Sequence, residues 1–434
     1  MRYHLLLATG LLAATAPSFA ADTVLHCGQL FDSNSGKLLG PHNITVRNDR
    51  IAEVRAGTAP AAADAQAIDL SAQTCLPGLI DSHTHLTGET SPTAFTDRFR
   101  LNTADYAIRS TLYANRTLQA GFTTVRNLGD GANISIALRD AINAGSIPGP
   151  RIFTAGSAIG STGGHADETD GLRLDLQGDP GAKDSIINGV DDAWKTVRQH
   201  YKDHVDVLKI MPSGGVLDQS GSADNPQMTL DEIKAIVAAA HDYGLTVAAH
   251  AHGAEGIRRA VQGGVDSIEH GTYLDDAGMK LMKERGTWYV PTIIAGKYVA
   301  EKAEVPGYYT PQVAAKAKQI GPLIQGTAGR AYKAGVKIAF GTDAAVYPHG
   351  QNAKEFAYMV EAGIPASYAL QAATKNAAEL LKKSKDLGSL EVGKYADVVA
   401  VSGNPLDDIN LMQHVNFVMK AGKVYRQQDK PVNN

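Results

Sequence analysis

The stretch Leu76 to His85 reads LPGLIDSHTH and places His83 and His85 two residues apart behind an apolar run. Successive side chains on a strand point to opposite faces, so residues two apart share a face. Two imidazoles therefore project together from the end of a buried strand. Neutral imidazole offers a nitrogen lone pair at a fixed angle, so such a pair suits a metal ion. A turn that happens to hold two histidines fits equally well, and further ligands must decide. They recur at the ends of other apolar runs: His250 and His252 in LTVAAHAHG, His270 in SIEHG, and Asp343 in IAFGTDA. Lys209 sits inside another such run, VDVLKIM. A charged lysine there is costly unless paired, and an ammonium has no lone pair for a metal. Burial and nearby cations favour the neutral amine. A neutral amine adds carbon dioxide to form a carbamate, whose two oxygens bridge two metals. The alternative is a lysine that snorkels to solvent or pairs with Asp206.

These residues need elements that bring them together. From about Pro77 to Asp386, apolar runs alternate with amphipathic stretches. The spacing predicts strands at Leu79–His83, Thr123–Asn127, Arg151–Ala155, Val205–Met211, Thr246–His250, Ser267–His270, Trp288–Thr292 and Lys337–Thr342. Helices fall between them, for example over Thr103–Ala120, Leu230–Tyr243 and Asp275–Arg285. Repeated βα units of this number predict an α/β fold, a (β/α)8 TIM barrel at residues 77–386, with reactive groups at the C-terminal strand ends. Short strands at both chain ends, residues 21–76 and 387–434, predict a small β-sandwich domain assembled from the two termini.

The chain has 434 residues, 44% of them hydrophobic and 20% charged, with a net charge of −4. That is globular composition without the basic surface a nucleic-acid partner requires. Residues 1–20, MRYHLLLATGLLAATAPSFA, combine Arg2, a short apolar core and a small-x-small end. They read as a secretory signal peptide, so an exported, periplasmic or secreted protein is expected. No later stretch reaches the ~20 apolar residues of a membrane span. Cys27 and Cys75 are the two cysteines. In an oxidising compartment they pair or remain two buried thiols, and the sequence leaves both open.

LPGLIDSHTH, VLKIM, the HAHG and EHG strand ends, FGTD and the tail LGSLEVGKYADVV resemble the amidohydrolase superfamily over almost the whole mature chain. Within it, TTVRNLGD, GGHADETD, KIMPSGG and HAHG are most similar to the Xaa-Pro dipeptidase and imidazolonepropionase-like group, which includes ochratoxin-hydrolysing amidohydrolases. The resemblance implies two divalent ions, usually Zn2+. His83, His85 and Asp343 would hold the more buried one, His250 and His270 the other, and carbamylated Lys209 would bridge them. Two ions about 3.5–4 Å apart share a hydroxide at neutral pH. Counting the ions as +4 and Asp343, the carbamate and hydroxide as −1 each, the centre carries about +1, which stabilises an oxyanion. Asp343 would pass the proton to the leaving amine. His252 would bind the substrate carbonyl, or else serve as a structural histidine behind the ligands.

Two glycine-rich loops are candidates for the substrate, Gly160 to His165 and Ser213-Gly214-Gly215-Val216. Glycines let backbone N–H groups converge on an anion. His165, Ser213, Gly214 and Gly215 are therefore expected to meet a C-terminal carboxylate. Ala166 to Ala193, polar and rich in Gly and Asp, reads as a lid or an oligomer contact. The expected activity is release of a C-terminal residue from a small N-acyl amino acid or dipeptide, ochratoxin A included. The competing readings are an imidazolonepropionase-like cyclic amide hydrolase, which uses one metal and no bridging lysine, and a scaffold without metal. A homo-oligomer, an octamer by resemblance, is expected.

Overall fold

The computed structural model describes residues 21–219, 221–428 and 430–432. The expected signal peptide, residues 1–20, lies outside the described residues. Alternating apolar and polar residues near the amino terminus form β1 (Thr23–Asp32), β2 (Lys37–Leu39), β3 (His42–Arg47), β4 (Arg50–Ala56) and β5 (Gln66–Pro77). The middle of the chain supplies β6 (Leu79–Thr84), β7 (Phe122–Asn127), β8 (Arg151–Thr154), β9 (Gly160–Ser161), β10 (Ile186–Ile187), β11 (Val207–Ile210), β12 (Thr246–Ala251), β13 (Ser267–His270) and β14 (Trp288–Val290). The tail adds β15 (Val398–Ser402), β16 (Val415–Lys420), β17 (Lys423–Gln427) and β18 (Lys430–Pro431).

Strands from both chain ends pair in one mixed sheet, ordered β18-β17-β16-β15-β5-β1-β3-β4, with β2 on β1. The two chain ends thus share one sheet, where a β-sandwich of two stacked sheets was expected. Strand β5 joins the two ends, pairing parallel to β1 and antiparallel to β15. Inside the sheet's core, among Leu25, Ile44, Ile68 and Phe417, Cys27 and Cys75 form a disulfide with their Cα atoms 5.8 Å apart.

The barrel is TIM-like. Its parallel strands run β6-β7-β8 and β11-β12-β13-β14. Every residue of β6, β7 and β12 is buried, as in a parallel sheet covered on both faces. Backbone bonds from Asp206 to Thr154 and between Ile159 and Lys209 join β8 to β11. The ring closes through residues 337–343, but these form no continuous strand among the described elements. The reason is competition for their backbone. Phe340 donates to the Ala372 carbonyl, the Ile338 carbonyl accepts from Asn376, and the Ile338 N–H meets the Tyr368 hydroxyl. Tyr289, Ser82 and His83 take the remaining contacts. Gly341 permits this: a Cβ there would lie 2.3 Å from Val290 Cγ1 and 3.0 Å from His83 Cβ.

The expected helices form at Thr103–Gln119, Leu230–Asp242 and Asp276–Arg285. Thr229 caps the second by accepting from the Glu232 N–H, while the Glu232 side chain returns to the Thr229 N–H. Two helices, Ile293–Ala303 and Pro311–Lys333, follow β14 where one would complete the repeat. Gly296 and Gly321 let them approach closely, since a Cβ on Gly321 would fall 2.4 Å from the Gly296 carbonyl oxygen. Among the described residues no helix is long and apolar enough to cross a membrane.

Candidate metal centre and substrate cavity

The strand ends bring His83, His85, Lys209, His250, His270 and Asp343 to one floor, with His252 and His165 beside it. Ring centroids lie 5.3 Å apart for His83 and His85, 4.9 Å for His83 and His270, and 4.5 Å for His250 and His270. Asp343 Oδ1 is 3.5 Å from His83 Nε2 and 3.3 Å from His85 Nε2. Lys209 Nζ is 3.3 Å from His83 Nε2. One donor atom from each of His83, His270 and Asp343 lies within 4.8 Å of the other two.

The other ring nitrogens are already engaged. His83 Nδ1 meets Glu269 at 2.9 Å, His85 Nδ1 meets the Gly129 carbonyl at 2.9 Å, and His270 Nδ1 meets Thr292 Oγ1 at 2.8 Å. These three rings keep Nε2 for the centre. His250 is turned the other way, with Nε2 on the Gly214 carbonyl at 3.2 Å and Nδ1 remaining. Metal-bound imidazoles are held through their second nitrogen in this manner. Burial pushes the His83, His250 and His270 imidazoles well below their ordinary range, and neighbouring Lys209 or histidine groups reinforce it. The rings are thus neutral at pH 7. Burial pushes the Asp343 carboxyl up, but His83, His85 and Lys209 outweigh it and hold the group ionised. Burial lowers Lys209 to about 8, against the pull of Glu269 and Asp343. Neutral imidazoles beside an ionised carboxylate are a donor set that suits a divalent metal ion.

Strain marks the same floor. His270, Thr292 and Asp343 have φ of 68°, 53° and 62°, left-handed values uncommon outside glycine. His270 ends β13, Thr292 lies two residues beyond β14, and Asp343 ends the 337–343 segment that closes the ring.

Several supporting residues escaped the sequence reading. Arg126, on β7, is 2% exposed and binds Glu269 at 2.8 Å, Ser267 Oγ at 3.1 Å and the Ser82 carbonyl at 2.6 Å. Asp81 accepts from the Thr342 hydroxyl at 2.6 Å and from Asn352 at 2.8 Å, behind His83. Arg126 lies in the largely polar run TTVRN, so it does not stand out as Lys209 does in VDVLKIM. Glu269, next to His270 on β13, carried no signal of its own.

The floor opens into a cavity of about 920 Å³. Met211, Val216, Val299, Ile320 and Ile324 are among its apolar lining, and Asp97, Arg98, Arg109 and Glu168 among its polar lining. His252 lines it, buried, and burial lowers its imidazole to about 3. Its Nδ1 meets Thr272 Oγ1 at 2.7 Å. His165 also lines it, bonded through Nδ1 to Asp218, with its ring 4.3 Å from that of His250. Ser213, Gly214 and Gly215 stand behind this wall rather than on it. Ser213 Oγ accepts from the His252 N–H at 2.9 Å, the Gly214 N–H goes to the Asn225 carbonyl, and the Gly215 N–H goes to Asp218 at 2.7 Å. The expected cradle of free N–H groups is thus spent within the loop. Gly215 supplies space instead, since a Cβ there would sit 2.1 Å from the His165 ring. Asp167, Glu168, Asp170 and Leu172 of the Ala166–Ala193 segment reach the cavity edge.

The profile of the amidohydrolase family matches residues 74–425. The ochratoxinase of Aspergillus niger is 33% identical over 369 residues, which cover 81% of this chain and 75% of that protein. A solved Xaa-Pro dipeptidase with bound methionine in its active site superposes with a TM-score of 0.91 at 46% identity, covering 94% of this chain and 100% of that one. A prolidase complexed with N-methylphosphonate-L-proline gives a TM-score of 0.84 at 33% identity, with coverage of 94% and 100%.

Proposed function

The chain belongs to the amidohydrolase family and is a hydrolase acting on amide bonds, and from that premise we propose that it cleaves the amide to a C-terminal amino acid in a small N-acyl amino acid or dipeptide, ochratoxin A included. The observation that carries this reading is the convergence of His83, His270 and Asp343 with Lys209 Nζ 3.3 Å away, each of those histidines held through its other nitrogen. The solved relatives add support, because one holds methionine in its active site and the other is complexed with N-methylphosphonate-L-proline, and both molecules contain an amino-acid carboxylate.

His83, His85 and Asp343 would hold one divalent ion and His250 and His270 a second, most simply Zn2+, with Lys209 as a bridging carbamate. When bound, such ions supply a Lewis acid and an activated water. Asp343, ionised and between His83 and His85, receives the water's proton and returns it to the leaving amine. His252 is neutral; with Nδ1 accepting from Thr272 it donates through Nε2 to the scissile carbonyl. His165, fixed by Asp218, donates to the free carboxylate. Ser213, Gly214 and Gly215 act by placing these histidines. The apolar wall receives the side chain of the released residue.

The same reading treats residues 77–386 as the catalytic barrel and 21–76 with 387–434 as a supporting domain. Export through residues 1–20 agrees with the Cys27–Cys75 disulfide. Exposed Phe95, Phe99, Ile108 and Leu174 suit contact with further copies of the chain, up to an octamer. A mass near the monomer by light scattering at micromolar concentration would refute the oligomer.

The activity test compares an N-acyl-phenylalanine with its C-terminal amide. Charge-assisted bonds are worth about 1.5–3 kcal/mol each, so kcat/KM is expected to fall about ten- to several-hundred-fold for the amide. Equal rates would replace this reading with a broad amidase. Metal analysis should find two ions per chain; one favours the cyclic amide hydrolase, and none the scaffold.

A further inference from the structure

Strand β14 ends at Val290 and contributes no metal-type ligand, yet the chain just beyond it reaches the centre. Thr292 is fully buried, and its Oγ1 holds His270 Nδ1 at 2.8 Å. Thr292 is also the N-cap of the helix Ile293–Ala303. A threonine in that place ordinarily accepts from the second or third N–H of its own helix. Here it makes no such bond, because its hydroxyl is committed to His270 and its backbone is left-handed. The helix start is buried at Ile293 and Ile294, so its first amides cannot turn to water.

Glu355, 62 residues beyond Ile293, takes them instead. Oε1 accepts from the Ile293 N–H at 2.9 Å and Oε2 from the Ile294 N–H at 2.7 Å. The carboxyl is fully buried, and no step of the proposed hydrolysis uses it. We propose that Glu355 is a positioning residue of the metal centre: by capping the helix Ile293–Ala303 from outside, it frees the Thr292 hydroxyl to hold His270 Nδ1 and aim Nε2 at the centre. The inference rests on the metal reading above. It also explains why a β-branched residue stands at φ 53°. The clamped helix and the imidazole pull on Thr292 from opposite sides and fix a conformation it would not choose. The same helix presents Ala295 and Val299 to the cavity, so one buried carboxyl group sets both the ligand and part of the substrate wall.

The test is Co2+ binding to the chelator-stripped full chain, followed by the visible absorption of bound cobalt. Glu355→Gln leaves one acceptor for two donors and turns an NH2 toward the other. It is expected to weaken Co2+ binding about 10–100-fold, the usual effect of losing support behind a metal ligand. Thr292→Val removes the hydroxyl, keeps the branching, and should do the same. In the Thr292→Val background, Glu355→Gln should then change affinity less than about threefold, since coupled residues are not additive. A purely structural role would lower Tm and leave affinity and spectrum alone, which would overturn the proposal, as would two losses that multiply. If Glu355→Gln does not fold, Thr292→Val decides: weakened Co2+ binding at unchanged Tm supports the proposal, and wild-type affinity overturns it. Wild-type protein that binds no Co2+ would overturn the metal reading and this inference with it.

Discussion

Replacing Glu269 by Gln tests whether the buried charges beneath His83 work as a unit. Glu269 is fully buried and accepts from Arg126 at 2.8 Å on Oε1, while Oε2 meets His83 Nδ1 at 2.9 Å. The amide has one acceptor oxygen. If that oxygen stays with Arg126 and Ser267, the NH2 group faces His83 Nδ1 and makes it an acceptor. The His83 proton then moves to Nε2, the atom reserved for the metal. Metal affinity should fall about 10–100-fold. Stability falls as well, because a guanidinium 2% exposed loses its counter-charge. Breaking a buried pair from one side costs about 3–5 kcal/mol. Arg126→Met removes the orphaned charge, so the double variant should be more stable than the sum of the two single changes by about 1–3 kcal/mol. Urea unfolding of the chelator-stripped protein measures all four stabilities, and a titration with Zn2+ measures affinity. Simple additivity, or a Glu269→Gln cost below about 1 kcal/mol, would refute the argument that these groups are coupled.

Lys209→Ala should lose both bound metal and activity, with partial recovery in a small carboxylic acid such as propionate; unmodified lysine in a metal-loaded crystal would contradict the carbamate. Cys27→Ser opens a link spanning a sequence separation of 48, which the loop-closure estimate values at about 4 kcal/mol, so its urea midpoint should drop and wild-type protein in dithiothreitol should match it. An unchanged midpoint in either would mean the bridge does not form. His349 is buried against Tyr113, with its Nε2 on the Gly88 carbonyl, and burial lowers its imidazole from 6.5 to about 4. Its folded form prefers to stay neutral, so this contribution is complete above pH 6.5 and is lost as pH falls toward 4. The stability gap between wild type and His349→Gln should shrink by about 3 kcal/mol across that window, and a gap that stays constant would sink the assignment.

The strand ends were legible because parallel strands buried on both faces are written as apolar runs, and a histidine or lysine in such a run stands out. What lay beyond was distributed. Arg126 and Glu269 are 143 residues apart, and neither pattern says that both face inward at one level of the barrel. Glu355 and the helix it caps are related only by the fold. The segment Lys337–Thr342 has the apolarity of a strand, but its amides and carbonyls are claimed by Ala372, Asn376 and Tyr368. The glycines at 214 and 215 were legible as special positions and ambiguous as to why. A glycine marks either an N–H that must approach a ligand or a Cβ that must not exist, and here the Ser222 carbonyl beside Gly214 and the His165 ring beside Gly215 select the second. Cys27 and Cys75 carried no pairing information until β1 and β5 lay side by side.

These misses share a physical cause. Sequence patterns report what stabilises an element locally, whereas the centre is built from groups that locally do the opposite. Three residues with left-handed backbone cost about 1–3 kcal/mol each. A charged pair is kept in the barrel interior, and a threonine gives up its own helix. Each departure is tolerated because a distant partner fixes it: Glu269 for Arg126, Thr292 for His270, Glu355 for the helix after Thr292. The partners run around the barrel from β7 to β13, through β14, to the helix Lys354–Glu361. A ligand set held this way has its imidazole orientations and proton positions decided before any ion arrives. Less of the binding energy of a cation is then spent on arranging the site. That is why the residues with the weakest local rationale stand around the floor of the cavity.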